Sequence, residues 1–199
     1  MHKKALVIGA TGLLGYGVAL ELNRTGWIVK AIGKESYAKA NLFPPEINYI
    51  CGDFYDESFL INSLKGVDTV FFFMSSTFPS TSVDSLEFEI SRTVYGLDYL
   101  LRKMKESNVN SIVFPSSGGT VYGNIKDGKA KESDVLKPVT PYGVGKKISE
   151  DILRYYSLQG ISSLILRVGN VYGTPMNRTQ SQGVIDLFIQ KALKEIGRV

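Results

Sequence analysis

Short apolar runs alternate along this chain with stretches whose apolar residues recur every three to four positions. The runs "ALVIGA" (5–10), "WIVKAIG" (27–33), "INYICG" (47–52), "TVFFFMS" (69–75), "SIVFPS" (111–116) and "ISSLILRVG" (161–169) read as buried strands. The triple phenylalanine fits a strand apolar on both faces, as buried parallel strands are. Between the runs, "GLLGYGVALELNR" (12–24) sets Leu14, Val18 and Leu22 on one helical face, and Thr25-Gly26 stops it. A short helix is predicted over 56–64. A long one over 84–106 aligns Leu86, Ile90, Val94, Leu97 and Leu101, and further helices are predicted over 141–158 and 181–196. Strands that alternate with helices predict a doubly wound parallel α/β sheet with helices on both faces. Ligands of such sheets sit at the carboxyl ends of the strands, so the informative loops follow residues 9, 33, 52, 74, 115 and 168.

Composition narrows the chemistry. With 199 residues and a 44% hydrophobic share, the chain suits one sizeable domain. The net charge of +4 is spread out, and Lys-rich "KDGKAKESD" (126–134) alternates with acids as a solvated loop does. No basic stripe with interleaved aromatics points to nucleic acid. The single cysteine, Cys51, excludes an internal disulfide and reads as a small buried apolar residue. The single histidine, His2, rules out a Ser-His-Asp triad and a histidine metal cluster, so no metal site is expected. Acid–base work near neutral pH therefore falls to another group with a shifted pKa. The basic, apolar start resembles a signal peptide, but Gly9, Gly12, Gly15 and Gly17 interrupt it and no run is long enough to span a membrane, so a cytoplasmic location is expected.

"GATGLLG" (9–15) follows the first strand and opens the first helix. In that setting Gly9 can make the tight turn, Gly12 can admit a pyrophosphate and Gly15 can pack helix on strand, while the helix N-terminus offers N–H groups and partial positive charge. A nucleoside-triphosphate loop does not fit, because no Lys-Ser/Thr closes the motif. After the second strand stand Gly33 and Lys34, where a carboxylate would favour the free ribose hydroxyl of NAD. Lys34 can neutralise the 2′-phosphate of NADP or be an exposed surface lysine. Asp53 can accept from an adenine amino group or cap the next helix.

In "TPYGVGKKISEDI" (140–152), Tyr142 and Lys146 are four residues apart and share a helix face, across a first turn weakened by Gly143 and Gly145. A phenol ordinarily titrates near pH 10, and base work at neutral pH asks for about 4 kcal/mol of relief. One cation about 4 Å away supplies roughly that at an intermediate dielectric. The pair thus reads as a base with its electrostatic partner. The two glycines would let substrate and cofactor approach.

Taken in order, "GATGLLG", "GDF", "SSGGTVYG", "YGVGK" and "LRVGNVYG" resemble the extended short-chain dehydrogenase/reductase family, nearest its NAD-dependent epimerase/dehydratase branch, which includes UDP-glucose 4-epimerases. The resemblance implies a Rossmann-type domain over 1–199, an NAD(P) cofactor and a UDP- or dTDP-sugar substrate. NAD follows from the family; NADP is favoured slightly by Gly33-Lys34. It implies catalytic roles for Tyr142 and Lys146, with a hydroxyl from Ser117 (first choice) or Thr120, because Gly118 stands where many relatives carry Ser or Thr. The implied cofactor set is Gly9, Thr11, Gly12, Leu13, Leu14, Gly33, Lys34, Asp53, Phe54, Phe73, Met74, Ser75 and Gly169, with Tyr142 and Lys146. Ser76, Asn170 and Val184 are the implied substrate contacts, and Thr93 replaces a family asparagine.

Dehydratases of this branch follow the catalytic Thr with an Asp-Glu pair; here those positions are Gly119 and Thr120. The resemblance therefore favours epimerisation by transient oxidation of a sugar hydroxyl, with a reductase or dehydratase, or a cofactor-binding sensor without catalysis, as alternatives. It also implies that residues 181–199 lead into a substrate-binding lobe largely absent from this sequence, so that these 199 residues bind cofactor but turn over nucleotide sugar weakly or not at all. A homodimer through the helices at 84–106 and 141–158, or a monomer, is expected.

Overall fold

A computed structural model describes residues 2–34, 42–74, 85–125 and 128–173, with Phe188, Ile189 and Ala192 beyond them. Six strands, β1 (Lys4–Ile8), β2 (Ile28–Gly33), β3 (Asn48–Cys51), β4 (Thr69–Phe72), β5 (Ser111–Ser117) and β6 (Ser162–Val168), form one parallel sheet in the order β3-β2-β1-β4-β5-β6. The order reverses between β1 and β4, so the crevice of a doubly wound sheet opens beside the turn that follows β1.

Strand alternation splits the core. Leu6, Ile8, Ile32, Phe72 and Phe114 face one layer, where helices α2 (Glu57–Leu64), α4 (Tyr95–Glu106) and α5 (Pro141–Ser157) bring Leu60, Leu64, Leu97, Leu100, Leu101, Met104 and Leu153. Val7, Val29, Ala31 and Tyr49 face the other, under α1 (Leu13–Arg24) and Phe43. The phenylalanine run divides as a two-sided strand requires: Phe72 enters the first layer, Phe71 and Phe73 pack against the second. Helix starts are capped where the sequence offers a cap: Asp56 accepts from the Phe59 N–H at 3.1 Å and Thr140 from the Gly143 N–H at 3.1 Å.

Three readings change. The buried edge of α1 is Gly15 and Ala19, one residue round from the Leu14–Val18–Leu22 stripe. Small residues take the sheet side because α1 lies close over the first turn. The helix predicted over 84–106 is broken: α3 (Leu86–Glu89) passes into a π turn (Ile90–Val94) before α4. The wider turn rotates what precedes it. Leu86 and Ile90 are thus exposed, while Glu89 and Thr93 face inward with Val94 and Leu97. Cys51, expected to be buried, is only half-buried. Of the helix predicted over 181–196, the three described residues are helical. Among the described residues no helix is long and apolar enough to cross a membrane.

Candidate active site

The turn after β1 is built around Gly9. Its φ of +77° is open to glycine, and a Cβ there would stand 2.8 Å from the backbone between Phe73 and Met74. A Cβ on Gly15 would collide with the Gly9 carbonyl oxygen, so this glycine is what lets α1 begin on the turn. Gly12 is the N-cap, with no side-chain cap and no acid in the first helical turn. The N–H groups of Leu13, Leu14 and Gly15 therefore face an end of the helix that carries partial positive charge and no built-in anion. Such a donor set fits a diphosphate.

A cleft of about 330 Å³ opens from this turn, and Gly9, Thr11, Gly33, Lys34, Phe54 and Met74 all line it. Ile8, Ile32, Gly52, Tyr55 and Arg92 complete the lining. Phe54 is a core residue whose ring packs 5.8 Å from that of Phe72, so it floors the cleft. Lys34 is committed in part: its Nζ pairs with the Asp53 carboxylate at 3.3 Å and lies 5.9 Å from the Tyr55 ring centre. Asp53 does not cap α2, a role Asp56 fills; it accepts from the Tyr55 N–H at 3.0 Å in a local turn. Phe73 lies outside the cleft lining, in the second core layer. Ser75, Ser76 and Val184 lie outside the described residues.

At the other half of the same sheet edge stands the Tyr-Lys pair. Lys146 is 3% exposed, and its Nζ donates to the Pro115 carbonyl at 2.9 Å. It lies 5.6 Å from the Tyr142 ring centre and 4.7 Å from that of Phe114. The two side chains thus converge, as the helical spacing predicts. Their electrostatics do not follow the expectation. Burial, reinforced by the nearby Glu89 carboxylate, pushes the Tyr142 phenol up to about 12. Burial pulls the Lys146 ammonium down to about 8, with Glu89 opposing. The ammonium is aimed at a carbonyl, and burial is the larger influence on the phenol.

The glycines of this turn also differ from their expected role. A Cβ on Gly143 would stand 2.7 Å from the Thr120 carbonyl oxygen, and one on Gly145 would stand 2.5 Å from Cγ of Glu89. Both spaces are filled by protein, so they do not admit substrate. Of the two candidate hydroxyls, Thr120 has a buried Oγ1 without a hydrogen-bond partner among the described residues, whereas Ser117 is a nearly buried residue at the end of β5. A serine at Gly118 would require the backbone to shift, because a Cβ would stand 2.9 Å from the Arg167 carbonyl oxygen. Gly169 and Asn170 are exposed beyond β6.

Beneath the pair, Glu150 is wholly buried. It accepts from Ser116 at 2.6 Å, from Arg167 at 2.8 and 3.1 Å and from Arg154 at 3.1 Å. Arg167 also donates to the Tyr122 hydroxyl at 2.7 Å. This network ties α5, β5 and β6 together below the loop that carries Thr120. Sequence reading missed Tyr55, Arg92 and Glu89. The first follows "GDF" directly and was within reach; the other two are placed by the π turn, which no local pattern announces.

A doubly wound parallel sheet with a cleft at its glycine turn and a Tyr-Lys pair on the same edge has the architecture of a Rossmann-type dehydrogenase/reductase fold. Residues 5–198 match the family model for the NAD dependent epimerase/dehydratase family, and the chain belongs to that family. It is 30% identical over 192 residues to a putative UDP-glucose 4-epimerase of Methanocaldococcus jannaschii, covering 95% of this chain and 63% of that protein. It is 33% identical to the dTDP-4-dehydro-6-deoxyglucose reductase of Escherichia coli, over 68% of this chain and 43% of that one. The crystal structure of UDP-glucose 4-epimerase from Thermotoga maritima with UDP-glucose superposes with a TM-score of 0.84 at 26% identity, over 96% of this chain and 63% of that chain. A dTDP-glucose 4,6-dehydratase from Streptomyces venezuelae with NAD bound gives 0.80 at 26%, over 96% and 62%. The chain therefore spans less than two thirds of the length of these relatives.

Proposed function

We propose that this protein is a nucleotide-sugar epimerase that transiently oxidises a sugar hydroxyl, with Tyr142 as base, Lys146 as its cationic partner and a hydroxyl from Thr120 or Ser117 between base and substrate. The observation that carries the reading is the convergence of Tyr142 and Lys146 on the sheet edge that also holds the open glycine turn. Bound NAD(P) would supply the hydride acceptor. The diphosphate would rest on the N–H groups of Leu13, Leu14 and Gly15, and the adenosine in the cleft floored by Phe54. Thr120 Oγ1, buried and without a hydrogen-bond partner among the described residues, is the favoured hydroxyl, which reverses the order drawn from sequence. Gly119 and Thr120 offer no carboxyl group where elimination would need one, which supports epimerisation over dehydration.

Lys34 and Arg92 line the cleft and favour a 2′-phosphate; the Asp53 carboxylate on Lys34 works against it. NAD accordingly takes precedence. Exposed Tyr95 on α4 and Tyr155 on α5 support pairing of two chains through those helices.

Calorimetric titration with NAD, NADP and a panel of UDP- and dTDP-sugars tests the reading, with Tyr142→Phe as control. NAD binding is expected in both proteins, and nucleotide-sugar turnover is expected to fall at least 1000-fold in the variant, the upper range for a general base. A variant of undiminished turnover would sink the role of Tyr142, and absence of NAD and NADP binding would sink the reading as a whole.

A further inference from the structure

Glu89 is a carboxylate with 1% exposure, on the short helix that packs against the first turn of α5. The π turn that follows puts it inward, and the Thr93 hydroxyl, inside that turn, donates to its Oε1 at 2.7 Å. Gly145, the residue before Lys146, has no side chain because Glu89 fills the space: a Cβ there would stand 2.5 Å from Cγ and 2.9 Å from Oε1 of Glu89. The π turn, the Thr93 hydroxyl and the missing side chain at Gly145 together fix where this carboxylate lies, against the residue before Lys146.

The buried ammonium of Lys146 meets a carbonyl oxygen and two ring faces, which carry only partial negative charge. A full opposite charge close by is what keeps such an ammonium protonated. We propose that Glu89 is a positioning residue of the Tyr142–Lys146 pair: pinned by Thr93 against Gly145, its carboxylate holds the buried ammonium in its charged form and the phenol in its neutral form until cofactor and substrate arrive.

The charged and titratable groups around Glu89 agree with this assignment. From α5 it acts on Tyr142 and Lys146. On its own helix Glu87 is exposed, and Arg92 of the π turn is exposed with its guanidinium 5.5 Å from the Phe88 ring centre. The inference rests on the Tyr-Lys pair being the proton-transfer centre proposed above, but its test needs neither cofactor nor turnover.

The unliganded protein labelled with ¹³Cε-lysine is titrated by NMR, and the Lys146 signal is assigned by its loss in Lys146→Met. The wild-type midpoint is expected at about 8. Glu89→Gln keeps an acceptor for Thr93 and removes the charge; its midpoint is expected to fall by one pH unit or more. Thr93→Val, which unpins the carboxylate, gives a smaller fall and serves if the Gln variant does not fold. Midpoints unchanged in the folded variants would overturn the proposal. A shifted midpoint in a protein that binds neither NAD nor NADP would discard the catalytic reading and leave Glu89 as the partner of Lys146.

Discussion

Helices α1 and α5 both begin with glycine-rich turns at the same edge of the sheet, and the two turns are built for opposite purposes. The first is open: Gly12 is exposed, no side chain among the described residues caps it, and Gly9 and Gly15 are glycines because backbone meets backbone. The second is closed: Thr140 caps it, Pro141 begins it, and Gly143 and Gly145 are buried against Thr120, Pro138 and Glu89. A glycine in a helix's first turn therefore marks either a surface kept free for a ligand or a space already occupied by the protein. The distinguishing feature is what a Cβ would touch.

The largest effect should come from the closed turn, which buries an ammonium. Lys146 titrates at about 8 in the folded chain against 10.5 for a free lysine, so between those values the unfolded chain holds the extra proton. Stability should thus rise as pH increases from 8 to 10.5, by about 3 kcal/mol from this group. Tyr142, raised to about 12 from 10, works in the other direction above pH 10. Urea unfolding of wild type and Lys146→Met across this range checks the sign: the variant should lack the rise, and parallel curves would refute the buried charge.

The open turn should behave inversely. Gly12→Asp places a good cap at the start of α1, and its carboxylate takes the N–H groups that a diphosphate would use. A small shift of the Gly9 carbonyl, 3.2 Å from the new Cβ, is needed to admit it. NAD affinity should fall about 100-fold, or 2.7 kcal/mol, while the melting temperature holds or rises. Loss of stability with binding intact would mean that this turn, too, is closed by packing.

How far the sequence foretold these two turns follows from what each depends on. The strand order is set by contacts remote in sequence and does not rest on local pattern. The strands, their parallel doubly wound class and the glycine turn do: apolar runs, alternation and glycines between strand and helix. The chain shows all of them, down to Phe71 and Phe72 facing opposite layers. The Tyr142–Lys146 register is likewise local, since i and i+4 share a helix face. The electrostatics were not legible. Residue spacing promised a cation beside a phenol, but burial and Glu89 decide the outcome, and both come from elements remote in sequence. Leu86 and Ile90 continue a helical stripe in the sequence and lie on the outside in the structure, because one π turn breaks the period.

Gly145→Ala tests the closed turn directly. The methyl group would have to displace Glu89 at Cγ, close to its backbone, not at a flexible tip. The cost should be about 2 kcal/mol, in the range for overpacked sites, despite the better helix propensity of alanine. Chemical denaturation measures it, and a stabilised variant would show that Glu89 moves freely.

Gly17 gives the control that both turns need. It lies inside α1 on the exposed side, and a Cβ added there meets nothing within 4 Å. No ligand surface and no packing demand explain it, so alanine should recover the intrinsic helix preference, a gain of up to about 1 kcal/mol. The same denaturation experiment reads the gain, and NAD binding should be unchanged. Were Gly17→Ala instead to cost stability or cofactor affinity, the space around a glycine would not be the measure that separates the three positions, and the contrast between the open and closed turns would have to rest on capping alone.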